Sequence, residues 1–128
     1  MHSKAQLFTE FFIFLGLSFL IAIAFEIASI NQLNDFRTQQ ESDAVKDMAL
    51  KLQKELLIAA NVEDGYVRLF SIPDKLDSIN YSLTTLNNRT ITVKSKNSLY
   101  IVAIPIAIGN VTKGANQIKK TDGIIYIN

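Results

Sequence analysis

Apolar residues are distributed unevenly along this chain of 128 residues. Between Leu7 and Ile30 the only polar residues are Thr9, Glu10, Ser18, Glu26 and Ser29. As a helix this stretch would be about 36 Å long at ~1.5 Å per residue, which is enough to cross a hydrocarbon core of ~30 Å. The pattern therefore predicts a transmembrane helix within residues 6–30, preceded by a short N-terminal leader.

The helical pattern continues beyond the apolar stretch. Neither Gly nor Pro occurs between Leu17 and Asp64, so nothing in this range interrupts a helix. On one side of the later part, apolar residues recur at helical spacing: Val45, Met48, Ala49, Leu52, Leu56, Ala59 and Ala60. We expect an amphipathic extension over residues 31–60. Two forms stay open, namely one helix roughly 80 Å long or two helices separated by a break within residues 31–40.

After Asn61 the pattern changes to short strand-like runs separated by turns. The predicted strands are residues 65–72, 79–84, 90–94, 99–104, 117–121 and 124–127, and Asp122-Gly123 is a hairpin signal between the last two. Leu99–Ile104 is continuously apolar, which is typical of a central strand buried on both faces. Residues 61–128 are thus predicted to form about five or six short antiparallel strands.

The predicted sheet domain is too small to be stable without help. It has no disulfide, and a domain of this size has a marginal hydrophobic core. The apolar side of residues 45–60 supplies the missing surface, and burying about six such side chains at ~1.5 kcal/mol each would decide whether the domain folds. The expected fold class is therefore α+β, with a long N-terminal helix packed against a small antiparallel sheet.

Composition and charge exclude several kinds of chemistry. The absence of cysteine excludes disulfides, thiolate metal sites and cysteine nucleophiles, and the single histidine, His2, excludes His-based triads and His metal clusters. A formal net charge of +1 gives no case for nucleic-acid binding. The candidate carboxylate pairs, Glu63-Asp64 and Asp74/Asp77, lie beside turns, where acids usually cap or face solvent. We expect no enzymatic activity, no catalytic residue, no metal or cofactor and no small-molecule substrate.

A short motif precedes the apolar helix. Lys4-Ala5-Gln6 comes directly before it, and Glu10 lies near its start. This arrangement resembles the class III signal peptide of archaeal type IV pilins, in which a membrane peptidase cuts before a Gln and leaves a Glu as the fifth mature residue. The family pattern Gln-x-Ser-x-Glu-x-x-x-Leu is matched at Gln6 and Glu10, whereas Phe8 and Phe14 replace its Ser and Leu.

The resemblance implies a pilin-like fold and a structural role in a surface filament. The precursor would sit in the membrane with its N-terminus in the cytoplasm and its C-terminal domain outside, an orientation that Lys4 also favours. Prepilin peptidase would cut it between Ala5 and Gln6, and other copies or related pilins would then be its partners. The filament core would bury the phenylalanines of the helix: Phe11, Phe12, Phe14, Phe19 and Phe25.

The predicted contact between subunits is an ion pair. Cleavage frees an α-amine at Gln6, where a helix N-terminus makes positive charge unfavourable. Glu10 of a neighbouring subunit would compensate that charge in a water-poor bundle, where Coulomb attraction is strong. In the other interpretation Glu10 only marks the membrane boundary, and the span begins at Phe11. Glu26 lies either at the outer membrane interface or beside a polar neighbour inside a filament core.

Two further readings of the whole chain stay open. The first is an uncleaved single-pass membrane protein whose β-rich extracytoplasmic domain binds a partner. The second is a secreted domain released by cleavage near residue 30.

Three Asn-x-Ser/Thr triplets occur in the part predicted to be outside the cell. They begin at Asn80, Asn88 and Asn110, which makes these asparagines candidates for N-glycosylation. Archaeal surface filaments are often N-glycosylated, so the resemblance fits this modification. The other explanation is that Asn, Ser and Thr are simply good turn residues.

Overall fold

The computed structural model describes the backbone of residues 2–128 and the side chains of residues 6–128. It contains one long helix, α1 (His2–Asn61), followed by strands. Residues 31–40 are helical within α1, so the structure has the uninterrupted helix rather than the predicted alternative with a break. The chain divides into two compact units, one ending at Arg37 and the other running Thr38–Asn128.

The second unit contains eight strands in two four-stranded sheets, ordered β1-β7-β8-β6 and β2-β3-β4-β5. The pairs are antiparallel except that β6 runs parallel to β8. These elements confirm the coarse prediction of an α+β fold. The strands are β1 (Val67–Ile72), β2 (Lys75–Leu76), β3 (Ile79–Leu86), β4 (Thr90–Ser95), β5 (Leu99–Ala103), β6 (Ala107–Gly109), β7 (Gly114–Thr121) and β8 (Ile124–Ile127).

The structure differs from the predicted small antiparallel sheet of about five or six strands in having eight strands, two sheets and one parallel pair. β2 and β6 have only two and three residues, too few to produce an alternating pattern in the sequence. β6 lies beside β8 rather than beside its successor β7, and the intervening β7–β8 hairpin makes the β6–β8 pair parallel. The result is one mixed sheet and one antiparallel sheet.

The prediction that Leu99–Ile104 forms a central strand is wrong. β5 pairs only with β4 and is an edge strand, with Leu99 56% and Ile101 57% exposed. Its free edge lies beside α1, because Gln53 Nε2 donates a hydrogen bond of 2.7 Å to the Ala103 carbonyl oxygen. A helix beside an edge strand protects it from pairing with other chains. The run is continuously apolar because β5 carries exposed apolar side chains as well as buried ones.

The hydrophobic core of the second unit lies between one face of α1 and the inner faces of both sheets. Leu56 of α1, Ile91 and Val93 of one sheet, and Ile118 and Ile127 of the other are almost fully buried. The predicted apolar side of α1 is confirmed: the buried residues are Val45, Met48, Ala49, Leu52, Leu56 and Ala59, and Ala60 is half-buried. The sheet domain thus uses the helix as its third layer, as the small size of the domain requires.

Polar contacts fasten both flanks of α1. On one flank, Glu55 accepts hydrogen bonds of 2.5 and 3.0 Å from the Arg68 guanidinium of β1. On the other flank, Gln53 bonds to β5 as described above. Within the second unit, α1 therefore fills the gap between β1 of one sheet and β5 of the other.

The C-terminal end of α1 is capped from a distant strand. The last turn contains no basic residue, but Lys120 of β7 directs its Nζ to the carbonyl oxygens of Ala60 and Val62, at 2.8 and 2.7 Å. These carbonyls have no partner within the helix, and a cation there also complements the helix dipole. Lys120 therefore ties the end of α1 to the sheet.

Two tight turns set the register of the hairpins. Asp122 and Gly123 have φ values of 51° and 75° and join β7 to β8, which confirms the predicted hairpin. Asn87 and Asn88 have φ values of 51° and 55° and join β3 to β4. Positive φ at both central residues is the geometry that matches the twist of the flanking strands.

Candidate functional site

The first unit presents a helix whose described side chains are all exposed. This exposure extends from Gln6 to Gln40 along α1. The predicted core phenylalanines Phe11, Phe12, Phe14, Phe19 and Phe25 are each more than half exposed, and Phe25 reaches 74%. By length and composition the helix is apolar enough to cross a membrane, and none of the apolar window is buried within the chain. A continuous apolar surface of this extent marks a site of contact with lipid or protein.

The hydroxyl groups in this stretch are satisfied within the helix. Ser18 Oγ donates to the Phe14 carbonyl oxygen and Ser29 Oγ donates to that of Phe25, both at 2.8 Å. A serine bonded in this way does not need water as a partner. The surface is therefore compatible with apolar surroundings at both serines.

Aromatic rings cluster at the start of the exposed helix. The rings of Phe8 and Phe12 meet edge to face at 4.7 Å, and those of Phe11 and Phe12 at 5.9 Å. Edge-to-face pairs of this kind are favourable contacts between aromatic rings. Phe8, which replaces a serine of the pilin motif, is thus part of an exposed aromatic cluster.

The predicted assembly residues lie one helical turn apart. Gln6 Nε2 donates a hydrogen bond of 3.2 Å to Glu10 Oε1 within the same helix. The Glu10 carboxylate is therefore directed toward the N-terminal turn, where cleavage before Gln6 would free an amine. Of the predicted processing site, Lys4 and Ala5 lie outside the residues whose side chains the structure describes.

The three candidate glycosylation asparagines are exposed but lie in different settings. Asn80 is in strand β3, Asn88 is in the β3–β4 turn, and Asn110 follows β6. The hydroxyl of Thr112, which completes the Asn110 triplet, lies 3.5 Å from Asn116 Oδ1 and 3.4 Å from Asn128 Nδ2. The structure therefore places all three asparagines at the surface and leaves their modification a prediction.

Sequence reasoning missed a carboxylate that anchors α1 to the β4–β5 loop. Glu41 is only 9% exposed and accepts hydrogen bonds from the backbone N–H and side-chain amide of Asn97, at 3.1 and 3.0 Å. Hydrogen bonding from the Ser95 hydroxyl, and next from Asn97, holds the pKa of Glu41 below its usual value of 4.5. The only signal in the sequence was an acid at the start of the amphipathic face, and acids on exposed helix faces are common.

A second missed feature is a buried amide network. Asn116 is 2% exposed; its Nδ2 donates to the carbonyl oxygens of Thr112 and Gly114, at 2.6 and 3.0 Å. Its Oδ1 accepts from the Thr112 backbone N–H at 2.9 Å and from Asn128 Nδ2 at 3.0 Å. Buried amides that are satisfied in this way fix loop geometry. The network therefore holds the loop between β6 and β7 in place.

A depression lies between α1 and the segment that contains β2. Its volume is about 400 Å³, and its lining mixes the apolar Met48 and Leu76 with Asp47, Lys51 and Asp77.

Tyr81 donates a hydrogen bond to the Pro73 carbonyl oxygen, and the Lys113 ammonium lies 4.3 Å above its ring. Burial, with a smaller effect of Asp74, raises the pKa of Tyr81. Within the described residues no cluster of His, Asp and Glu has the arrangement of a metal site.

Two of the four acids considered in the sequence, Asp64 and Asp74, take part in contacts that the structure describes. Asp64 Oδ1 accepts a hydrogen bond of 2.8 Å from the Gly123 N–H, so it closes the turn after α1 against the β7–β8 hairpin. The Asp74 backbone oxygen, rather than its carboxylate, receives the Lys113 ammonium at 3.0 Å. Both contacts link one loop or turn to another part of the β domain.

The outer face of one sheet carries exposed apolar residues on β1, β8 and β6, and the polar Gln117 and Lys119 of β7 separate those of β1 from those of β8. Val67 and Leu69 of β1, Ile124 and Tyr126 of β8 and Ile108 of β6 are between 39% and 74% exposed. They share one face because each alternates with an inward-facing neighbour. This face is smaller and less continuous than the surface of α1.

No protein-family model, no curated protein and no solved structure matches this chain.

Proposed function

We propose that this chain is a structural subunit of a type IV pilus-like surface filament of an archaeon. The precursor is held in the cell membrane by α1, with its N-terminus in the cytoplasm and its β domain outside. A prepilin peptidase cuts it between Ala5 and Gln6. The mature subunit then leaves the membrane and packs through α1 against other copies or related pilins, with no catalytic role.

The observation that supports this proposal most strongly is the contrast along α1. Every described side chain from Gln6 to Gln40 is exposed, whereas the same helix is buried on one face from Val45 to Ala59. A membrane anchor needs only lipid around its apolar surface. Because lipid is as apolar as the phenylalanines, assembly of copies must gain its preference from packing and from polar pairs.

The position of Glu10 supplies such a polar pair. Its carboxylate lies within hydrogen-bond distance of the Gln6 side chain, in the first turn of the mature helix. An amine freed at Gln6 is unfavourable at its own helix N-terminus and is neutralised by Glu10 of an adjoining subunit. Processing and assembly are thereby linked, because an uncut chain has no α-amine at residue 6.

The test is to determine the N-terminal residue of the protein recovered from the surface of its native host. The proposal predicts a chain that begins at Gln6. Replacing Glu10→Val should leave cleavage intact but remove most of the subunit from the filament fraction, whereas Asp35→Val tests whether any acid in the helix has this effect. An intact leader on the surface protein, or normal incorporation of Glu10→Val, would contradict the proposal.

The second candidate is an uncleaved membrane-anchored protein that binds a partner through its extracytoplasmic domain. The exposed apolar residues Val67 and Leu69 of β1 favour it, since exposed apolar side chains suit a protein contact. The N-terminal measurement separates the two functions, because this candidate keeps Met1.

A further inference from the structure

The charges of the exposed helix are few and unequal. Between Gln6 and Arg37 the ionisable side chains are the acids Glu10, Glu26 and Asp35 and a single base, Arg37. Glu26 and Arg37 are both exposed, and within the described residues the one ion pair is that of Arg68 and Glu55. An unpaired charge in a lipid-like environment is costly. Glu26, which the pairing of Gln6 with Glu10 leaves unexplained, therefore needs a positive partner.

Arg37 has the right position on the helix to be that partner in another copy. Glu26 and Arg37 lie three turns apart on one face, separated by roughly 20° of rotation and about 16 Å along the axis. That distance prevents a pair within one chain. Asp35, by contrast, projects from the opposite face, about 180° from Glu26.

Apolar residues near the two charges make the same offset favourable for packing. If one copy is displaced so that its Arg37 is level with Glu26 of its neighbour, Ile30 and Leu33 of the first copy are level with Phe19 and Ala22 of the second. All four positions lie on the face that carries Glu26 and Arg37. Ile30 and Leu33 are 54% and 50% exposed, so they are free to make this contact.

We propose that Glu26 of one copy pairs with Arg37 of a second copy of this chain, displaced by about 16 Å along the helix axis. The proposal rests on the filament function proposed above and adds a second polar contact to it. Glu10 neutralises the new amine, and Arg37 neutralises Glu26. The pair fixes the axial stagger of neighbouring subunits, because a shift by one turn would separate the charges.

Charge reversal tests the pair. Glu26→Arg alone and Arg37→Glu alone each place like charges at the contact, and we expect the amount of filament to fall roughly tenfold in each. The double variant Glu26→Arg with Arg37→Glu restores the pair in reversed order and should recover most of the filament. The matched control is Asp35→Arg, a charge reversal on the opposite face, which should assemble like the wild type.

A disulfide test measures the stagger directly. The chain has no cysteine, and Cα atoms about 16 Å apart cannot be bridged within one helix. Filaments carrying Glu26→Cys and Arg37→Cys should therefore give a ladder of covalent oligomers after mild oxidation. The control pair Glu26→Cys and Asp35→Cys should stay monomeric.

The outcomes separate this proposal from the filament function. If wild-type filaments form but single charge reversals assemble normally, or the double variant does not recover, the Glu26–Arg37 pair is wrong while the filament function stands. Filaments of the Glu26→Cys, Arg37→Cys variant without a ladder would also overturn the pair. If the wild-type chain keeps its leader and forms no filament, both proposals fall.

Discussion

The two parts of α1 have the same backbone structure and opposite surroundings. From Val45 to Ala59 an apolar face is covered by two sheets of the same chain. From Gln6 to Arg37 apolar side chains surround the helix and none of them is covered. Residues 45–59 pack against strands that come later in the same chain. The apolar side chains of residues 6–37 have no such cover and need contacts from outside the chain.

This difference has a consequence for stability. The β domain depends on the outer part of α1, because the helix supplies the layer that closes the core between the sheets. It should not depend on the apolar surface of residues 6–37. Substitutions in the two parts should therefore affect unfolding of the domain and the proposed filament assembly separately.

The largest effect on the domain is expected at Leu56. Its side chain is 1% exposed in the core, and Leu56→Ala removes buried contacts and leaves a cavity. We expect the free energy of unfolding to fall by about 2–5 kcal/mol. Urea unfolding of the detergent-solubilised full chain, followed by tyrosine fluorescence, measures this change.

The neighbouring Leu57 provides the control, because it is 45% exposed on the same helix. Leu57→Ala should change the free energy of unfolding by only about 0.5 kcal/mol or less. Equal losses in the two variants would mean that the observed face of α1 is not the one that supports the sheets.

A smaller effect is expected at the end of α1. Lys120→Met keeps the length of the side chain but removes the ammonium from the carbonyl oxygens of Ala60 and Val62. Loss of these bonds should cost about 1–2 kcal/mol of unfolding free energy. Lys119→Met, on the exposed face of the same strand, should be close to neutral, and an equal effect at both lysines would argue against the cap.

The smallest effect is a change in acid sensitivity at Glu41. Its pKa is lowered in the folded domain, first by the Ser95 hydroxyl and then by Asn97. The carboxylate therefore adds stability above its usual pKa, and this contribution disappears as the pH falls through the lowered value in the folded state. The Tm of Glu41→Gln should fall less than that of the wild type between neutral pH and about pH 3.

The control for this measurement is Glu63→Gln, at an exposed position after α1. Thermal unfolding at a series of pH values compares the three proteins. A wild-type Tm that falls in parallel with that of Glu41→Gln would show that Glu41 does not contribute to the acid sensitivity.

The sequence predicted those features that depend on local periodicity. The apolar face of α1 was identified residue by residue, since helical spacing alone decides which side chains share a face. Asp122-Gly123 identified the β7–β8 hairpin because few other residues accept positive φ at both turn positions. The exposed apolar helix, as a candidate site, followed from composition and length.

Features that depend on tertiary contacts could not be predicted in this way. The apolar run of β5 is compatible with a central strand, and only its pairing with β4 alone shows that it is an edge. Lys120 reaches the end of α1 from a strand, and Glu41 reaches a loop far away in sequence. Neither contact has a short-range signal, because the partners are brought together by the arrangement of the sheets around the helix.

In the proposed filament, other copies of the chain cover residues 6–37. The accessibility of single cysteines in filaments sheared from cells and washed without detergent measures this coverage. Phe14→Cys lies in the apolar part of α1, and Ser42→Cys lies at an exposed position beyond Arg37. Their reaction rates with a water-soluble maleimide are each compared with the rate in the urea-denatured chain. We predict strong protection at Phe14→Cys and little at Ser42→Cys; similar rates at the two positions would contradict the account.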